Sequence, residues 1–203
     1  MKKRPIQYWF STASPWAWLG SARFAELVRA EDLAVEVLPV DLSHVFAATG
    51  GTPFPKRSTA RQSYRQLDLA RWSSQLAVPI NLEPRFYPVD RGPSSKLLIA
   101  GRSAGLDVLA LSHAVLRAIW HENRDISDWA ELLALANDSG FDGASLIEAA
   151  RRSDVHDQYV ADTERAIAAQ VFGSPTYVVE GERFWGQDRL DMLAQRLTSW
   201  ASA

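Results

Sequence analysis

The chain has 203 residues, 47% of them hydrophobic, enough to bury an ample core in one large domain or two small ones. Its 22 basic and 24 acidic side chains leave a formal charge of −2, which gives no electrostatic case for nucleic acid or an anionic membrane as partner. There is no cysteine, which excludes disulfides, thiolate metal sites and dithiol redox chemistry by the protein's own side chains; any sulfur chemistry must use a borrowed thiol.

Met1-Lys2-Lys3-Arg4 before an apolar stretch looks at first like a secretory signal. Pro5, Gln7, Ser11, Thr12, Ser14 and Pro15 break that stretch before it reaches the ~7–15 apolar residues a signal needs. Nothing later approaches the ~18–20 apolar residues of a membrane span, and a cytoplasmic, soluble protein is expected. Residues 6–10 read as an aromatic-rich strand. Ser14 is a good helix N-cap and Pro15 suits the first helical position. The helix that follows puts Trp16, Leu19, Gly20, Phe24, Leu27 and Val28 on one face, and 34–38 alternates as a second strand closed by Pro39. Strand, helix, strand of this length predicts a βαβ unit with parallel neighbours.

Gly50, Gly51, Pro53 and Pro55 mark 41–58 as a loop long enough to be functional. Residues 59–169 carry almost only helical signals. The spacing predicts helices over 59–75, 93–104 and 106–123, a short one from a Ser127 cap to before Gly140, and two more capped by Asp142 and Asp154. Ser174-Pro175 then precedes a strand over 176–179, a turn at Glu180-Gly181-Glu182, Phe184-Trp185, and a last helix with Leu190, Leu193, Leu197 and Trp200 on one face. Arg57, Arg61 and Arg65 recur every fourth residue and are expected to share a helix face. That stripe reads either as solvated or as a cation for a carboxylate. His44, His113, His121 and His156 show no metal-ligand spacing, so no metal site is expected.

Phe10-Ser11-Thr12-Ala13-Ser14-Pro15-Trp16-Ala17-Trp18-Leu19-Gly20 resembles the active-site segment of the DsbA-like superfamily, in the branch where serine replaces the first cysteine. That branch holds the kappa-class glutathione transferases and the 2-hydroxychromene-2-carboxylate isomerases. Tyr64-Arg65-Gln66-Leu67-Asp68-Leu69-Ala70-Arg71-Trp72, Val78-Pro79 and Phe86-Tyr87-Pro88 resemble the isomerase branch in order and spacing. So does the tail from Val171-Phe172-Gly173-Ser174-Pro175 to Phe184-Trp185-Gly186-Gln187-Asp188-Arg189-Leu190, and the similarity spans nearly the whole chain. It implies an α/β, thioredoxin-like fold with a large all-helical insertion. The thioredoxin-like part is expected to comprise 1–58 and 170–203 with part of the 154–169 helix, and the insertion 59–169.

The resemblance implies glutathione as cofactor, with Ser14 the catalytic residue that holds its thiolate at a helix N-terminus. It places Pro15, Trp16, Gly51, Ser174, Pro175, Gln187 and Asp188 around glutathione, Pro175 in a cis bond, and the γ-glutamyl end on Gln187 and Asp188. Arg57, Tyr64 and Trp185 are the candidates for binding a small aromatic substrate. The family often has asparagine at the Gly51 position, aspartate at that of Ser11, and valine or leucine at that of Ser174. The activity implied is glutathione-dependent cis–trans isomerisation of an aromatic 2-oxo acid by a homodimer paired through its helical block. A kappa-type transferase and a non-catalytic thiol- or peptide-binding module are the competing readings. Read without the resemblance, Ser14 is a helix cap, Ser174-Pro175 an ordinary turn, and residues 186–189 a plain loop entering a helix.

Overall fold

The computed structural model describes residues 5–201, with side chains as far as 198. Met1-Lys2-Lys3-Arg4 and the Trp200 side chain, both read from the sequence above, lie outside the described residues. The chain starts as β1 (Ile6–Phe10), α1 (Pro15–Ala30) and β2 (Val35–Pro39). Extended Ser14 caps α1 by accepting from the Ala17 N–H at 3.2 Å, and Pro15 takes the first helical position, where a missing N–H costs nothing. The crossover makes β1 and β2 parallel, with Tyr8 opposite Val37. On the other side of β1, β3 (Thr176–Val179) runs antiparallel with Tyr177 opposite Tyr8, and β4 (Glu182–Trp185) completes a sheet of order β2-β1-β3-β4. This is a thioredoxin-like α/β fold with a helical insertion between β2 and β3.

Alternation along β1 sends residues to two cores, because successive strand side chains point to opposite faces. Tyr8 and Phe10 stack on one face with ring centroids 4.3 Å apart, and Phe24 of α1 and Tyr177 close the cluster at 4.9 and 5.4 Å from Tyr8. Trp9 turns to the other face and packs with Leu38, Val45, Ala166 and Val178. That second face is covered by α2 (Leu42–Thr49) and α8 (Ser153–Ala168).

Between them lie α3 (Thr59–Leu76), α4 (Gly92–Ser103), α5 (Leu109–Trp120), α6 (Trp129–Asp138) and α7 (Gly143–Ala150). α9 (Leu190–Ala201) ends the chain. The structure corrects the expected loop over 41–58: Asp41 caps α2 by accepting from Ser43 N at 2.9 Å, and Phe54–Lys56 is a 3₁₀ turn. The glycines and prolines there end a helix and start a turn, so their density hid the helix before them. Asp128, not Ser127, caps α6, and α8 starts one residue before Asp154, with Arg152 in the cap position. The β3–β4 turn is Glu180–Gly181 alone, both at positive φ, because Glu182 already pairs with Val179. Among the described residues no helix is long and apolar enough to cross a membrane, and no group of three or more acidic or histidine side chains is placed to hold a metal.

Candidate functional site

The two Ser-Pro pairs meet at the end of β1. The Ser174–Pro175 bond is cis, and Ser174 faces the N-terminus of α1. Ser14 Oγ donates to the Ser174 carbonyl at 3.3 Å while accepting from Ala17 N. The Ser174 hydroxyl oxygen accepts from Ser11 N at 2.9 Å, so Ser174 contributes a side chain as well as backbone. Thr12, next to this turn, accepts from Ser94 of α4 at 2.8 Å. Three segments distant in sequence thus converge around one hydroxyl at the positive end of a helix, a position that favours an anion.

Two cavities open at this point and share Trp16, Ser174 and Trp185 as a common wall. The larger, about 570 Å³, contains Ser14 and Pro15 on one side and residues 50–55 on the other. The smaller, about 300 Å³, is lined by Asp68, Trp72 and the segment from Gly186 to Arg189. Trp185 is half exposed and stacks edge-on with Phe172 at 4.8 Å. It lies so close over Gly173 that a Cβ there would meet indole Nε1 at 2.2 Å. Gly186 N donates to the Pro175 carbonyl at 2.9 Å, tying the loop after β4 to the cis-proline turn.

Gln187 is buried, with its Cβ where a side chain on Gly20 of α1 would clash, and its oxygen accepts from Arg23 at 3.4 Å. Asp188 is exposed in the smaller cavity and accepts from Arg189 at 2.8 Å. Gly51 lies in the wall of the larger cavity, where its N–H donates to the Phe46 carbonyl at 2.9 Å; the Phe46 ring leaves no room for a Cβ. Arg57 lines the larger cavity but precedes α3, and its Nε donates to the Thr52 carbonyl at 2.8 Å. The basic stripe is therefore not one face: Arg61 is exposed, whereas Arg65 is buried against the Phe54 ring. Burial lowers the Arg65 pKa from its usual value. Tyr64 is 58% exposed and lines neither cavity.

Sequence reasoning missed Phe46, Phe54, Arg91 and Phe172 as cavity residues, and Asp68 as one. Only Asp68 and Phe172 stand inside motifs that carried the resemblance; the others had no local signal. The Tyr87–Pro88 bond at the cavity edge is also cis.

A model of the DSBA-like thioredoxin domain matches residues 5–198. The 2-hydroxychromene-2-carboxylate isomerase of Sphingobium xenophagum is 28% identical over 195 residues, 96% of this chain and 98% of that protein. A solved structure of a 2-hydroxychromene-2-carboxylate isomerase is similar with a TM-score of 0.79 and 23% identity, covering 98% of this chain and 96% of that one. The cytosolic disulfide reductase DsbM from Pseudomonas aeruginosa, in a structure with GSH, is similar with a TM-score of 0.73 and 16% identity, covering 98% of this chain and 100% of that one. At these identities the two structures speak for the fold alone.

Proposed function

The chain belongs to the DSBA-like thioredoxin domain family, and from that premise we propose that it is a glutathione-dependent cis–trans isomerase of an aromatic 2-oxo acid. The observation that carries the reading is Ser14: a hydroxyl at a helix N-terminus, facing a cis-proline turn, where two cavities of different charge meet. The isomerases named among the relatives support the reaction class.

The residues present fit glutathione. Its γ-glutamyl end carries both an ammonium and a carboxylate. The smaller cavity offers Asp68 and Asp188 to the first, and Arg189 with the 3₁₀ turn Gln187–Arg189 to the second. Glutathione, when bound, would supply a thiolate nucleophile for reversible addition to a conjugated double bond of the substrate, the chemistry that permits cis–trans isomerisation without net consumption of the thiol. Ser14 and the positive end of α1 stabilise that thiolate and lower the thiol's pKa. A serine hydroxyl has one proton, and in the structure it is given to the Ser174 carbonyl. Turning it toward sulfur frees that carbonyl to accept from the N–H of an extended peptide, so the thiolate and the peptide backbone enter together. The larger cavity, walled by aromatic rings, takes the substrate.

The test is a glutathione titration followed by thiolate absorbance in the ultraviolet, on this protein and on Ser14→Ala. Saturable binding with a thiolate signal at neutral pH is expected, with the acid dissociation constant of the bound thiol lowered about 10- to 100-fold in the variant, the range for losing a hydrogen bond to a charged group. Ser14→Ala also loses its cap, at about 1 kcal/mol of stability. No binding in the low-millimolar range, or an unchanged signal in the variant, overturns the reading. Turnover that leaves the glutathione concentration constant supports isomerisation; net consumption makes the enzyme a transferase.

A further inference from the structure

The charged wall of the larger cavity has one sign. Among the described residues its lining holds Arg57, Arg65 and Arg91 and no acidic side chain. Two of these cations already have acceptors. Arg57 Nε donates to the Thr52 carbonyl, and Arg91 Nη2 donates to Ser43 Oγ at 2.9 Å and stands 4.0 Å from the Asp41 carboxylate.

Arg65 differs from both. It is 8% exposed, and among the described residues it has aromatic rings in place of a hydrogen-bond acceptor. Its guanidinium carbon lies 4.3 Å from the Phe54 ring centre, 5.8 Å from that of Tyr87 and 5.9 Å from that of Trp120. Aromatic faces attract a cation, but they leave the in-plane N–H fork without hydrogen-bond acceptors. Burying a charge in that condition is costly unless something supplies the counter-charge. The five donors of a guanidinium form a rigid fork that matches a carboxylate bidentately.

We propose that Arg65 is the anchor for the carboxylate of the substrate. The inference rests on reading the larger cavity as the substrate chamber, and it deepens that reading by naming the group that selects an acid over a neutral analogue. Phe54 and Tyr87, already against the guanidinium, wall the cavity beside the anchored end and receive the apolar body of the same molecule.

The experiment titrates trans-cinnamate and its methyl ester calorimetrically into the full chain and into Arg65→Gln and Arg65→Lys. The native protein is expected to bind the acid at least about tenfold more tightly than the ester. Arg65→Gln is expected to weaken the acid about 10- to 100-fold while leaving the ester and the glutathione titration unchanged, and Arg65→Lys to recover part of the loss. An unchanged affinity for cinnamate in Arg65→Gln overturns the proposal. So does an equal loss for acid and ester, which would report packing alone, or a native protein that does not discriminate between them.

Should Arg65→Gln fail to fold, Arg57→Gln and Arg91→Gln carry the test. Cinnamate affinity retained in both supports Arg65, and a loss beyond about tenfold in either places the anion elsewhere. Because the probe needs no turnover, the two readings fail separately. Selective cinnamate binding without a thiolate signal overturns the isomerase and keeps the anchor. A thiolate signal without selective cinnamate binding does the reverse.

Discussion

Asp162 and Arg65 are both buried ionisable side chains, one behind the sheet and one beside the larger cavity, and the fold treats them in opposite ways. Asp162 of α8 is fully buried and accepts from Arg102 Nη2, from Arg165 Nη1 at 3.0 Å and from Gln158 Nε2 at 3.0 Å. Arg102 also donates to the Val37 carbonyl at 2.8 Å, and Arg165 also pairs with Glu36 of β2 at 3.1 Å, so the network fastens α4 and α8 to the edge of the sheet. Arg65 has rings around it and, among the described residues, no acceptor. The sequence holds 24 acidic side chains, so carboxylates are not scarce. Where a buried charge serves the fold, its partners are built in. Where it faces a cavity, the complement is left for a ligand.

The largest expected effect concerns a third kind of buried group, the one kept neutral. Burial raises the phenol pKa of Tyr8 and Tyr177 well above the usual value, and pushes that of Tyr159 up to about 12. A phenol whose pKa is higher folded than unfolded binds its proton more tightly in the native state. Its contribution is complete below the unfolded pKa near 10 and is lost as pH rises toward the folded value. Denaturant unfolding at pH 8, 10 and 11 should therefore show a loss of about 1 kcal/mol by pH 10 that grows to about 4 kcal/mol by pH 11, about 1.4 for each phenol. Stability that stays flat to pH 11 would place those hydroxyls in contact with water.

Next comes Asp162→Asn, which leaves Arg102 and Arg165 without their shared carboxylate. Breaking a buried pair from one side costs about 3–5 kcal/mol, and the lower figure is expected because Arg165 keeps Glu36. The glutathione and cinnamate titrations should be unaffected, and a change in either would couple the rear network to the site. The smallest effect is expected from Arg65→Gln on stability. Removing an unpaired buried cation relieves a desolvation penalty while losing ring contacts, so the denaturant midpoint should move by less than about 1 kcal/mol equivalent. A loss as large as that of Asp162→Asn would make the two charges alike and erase the contrast.

Much of the fold was legible in the chain. The βαβ start, the α1 cap, the hairpin and most helices have causes that act within a few residues: alternation, side-chain caps, a proline at the first helical position. The Ser14 and Ser174 motifs were legible for the same reason. α2 was misread because Gly50, Gly51, Pro53 and Pro55 dominate that window, although Asp41 is as good a cap as Ser14. Arg57, Arg61 and Arg65 show the limit of spacing. A four-residue period predicts a shared face only if all three are helical, and Arg57 precedes the helix. For Gly51 and Tyr64 the motif pointed to the site, but the Phe46 ring and the outer face of α3 determine what each can touch.

By itself the sequence determined the fold family, the elements of the sheet and most of the helices, the absence of any cysteine and the presence of a serine at a helix N-terminus. The elements were legible because caps, turns and periodicity are near-neighbour effects written in consecutive residues, and the family because the motifs around Ser14, Ser174 and Gln187 resemble those of its members. Only the tertiary structure decided that Ser14 meets the Ser174 carbonyl, that Trp16, Ser174 and Trp185 divide two cavities, and that of three cavity arginines Arg65 is the one without an acceptor among the described residues. Burial and unmet hydrogen bonds depend on segments far apart in the chain, here the turns near Phe54 and Tyr87 and the end of α5 at Trp120. The pairing of a charge is settled only when those segments close around it.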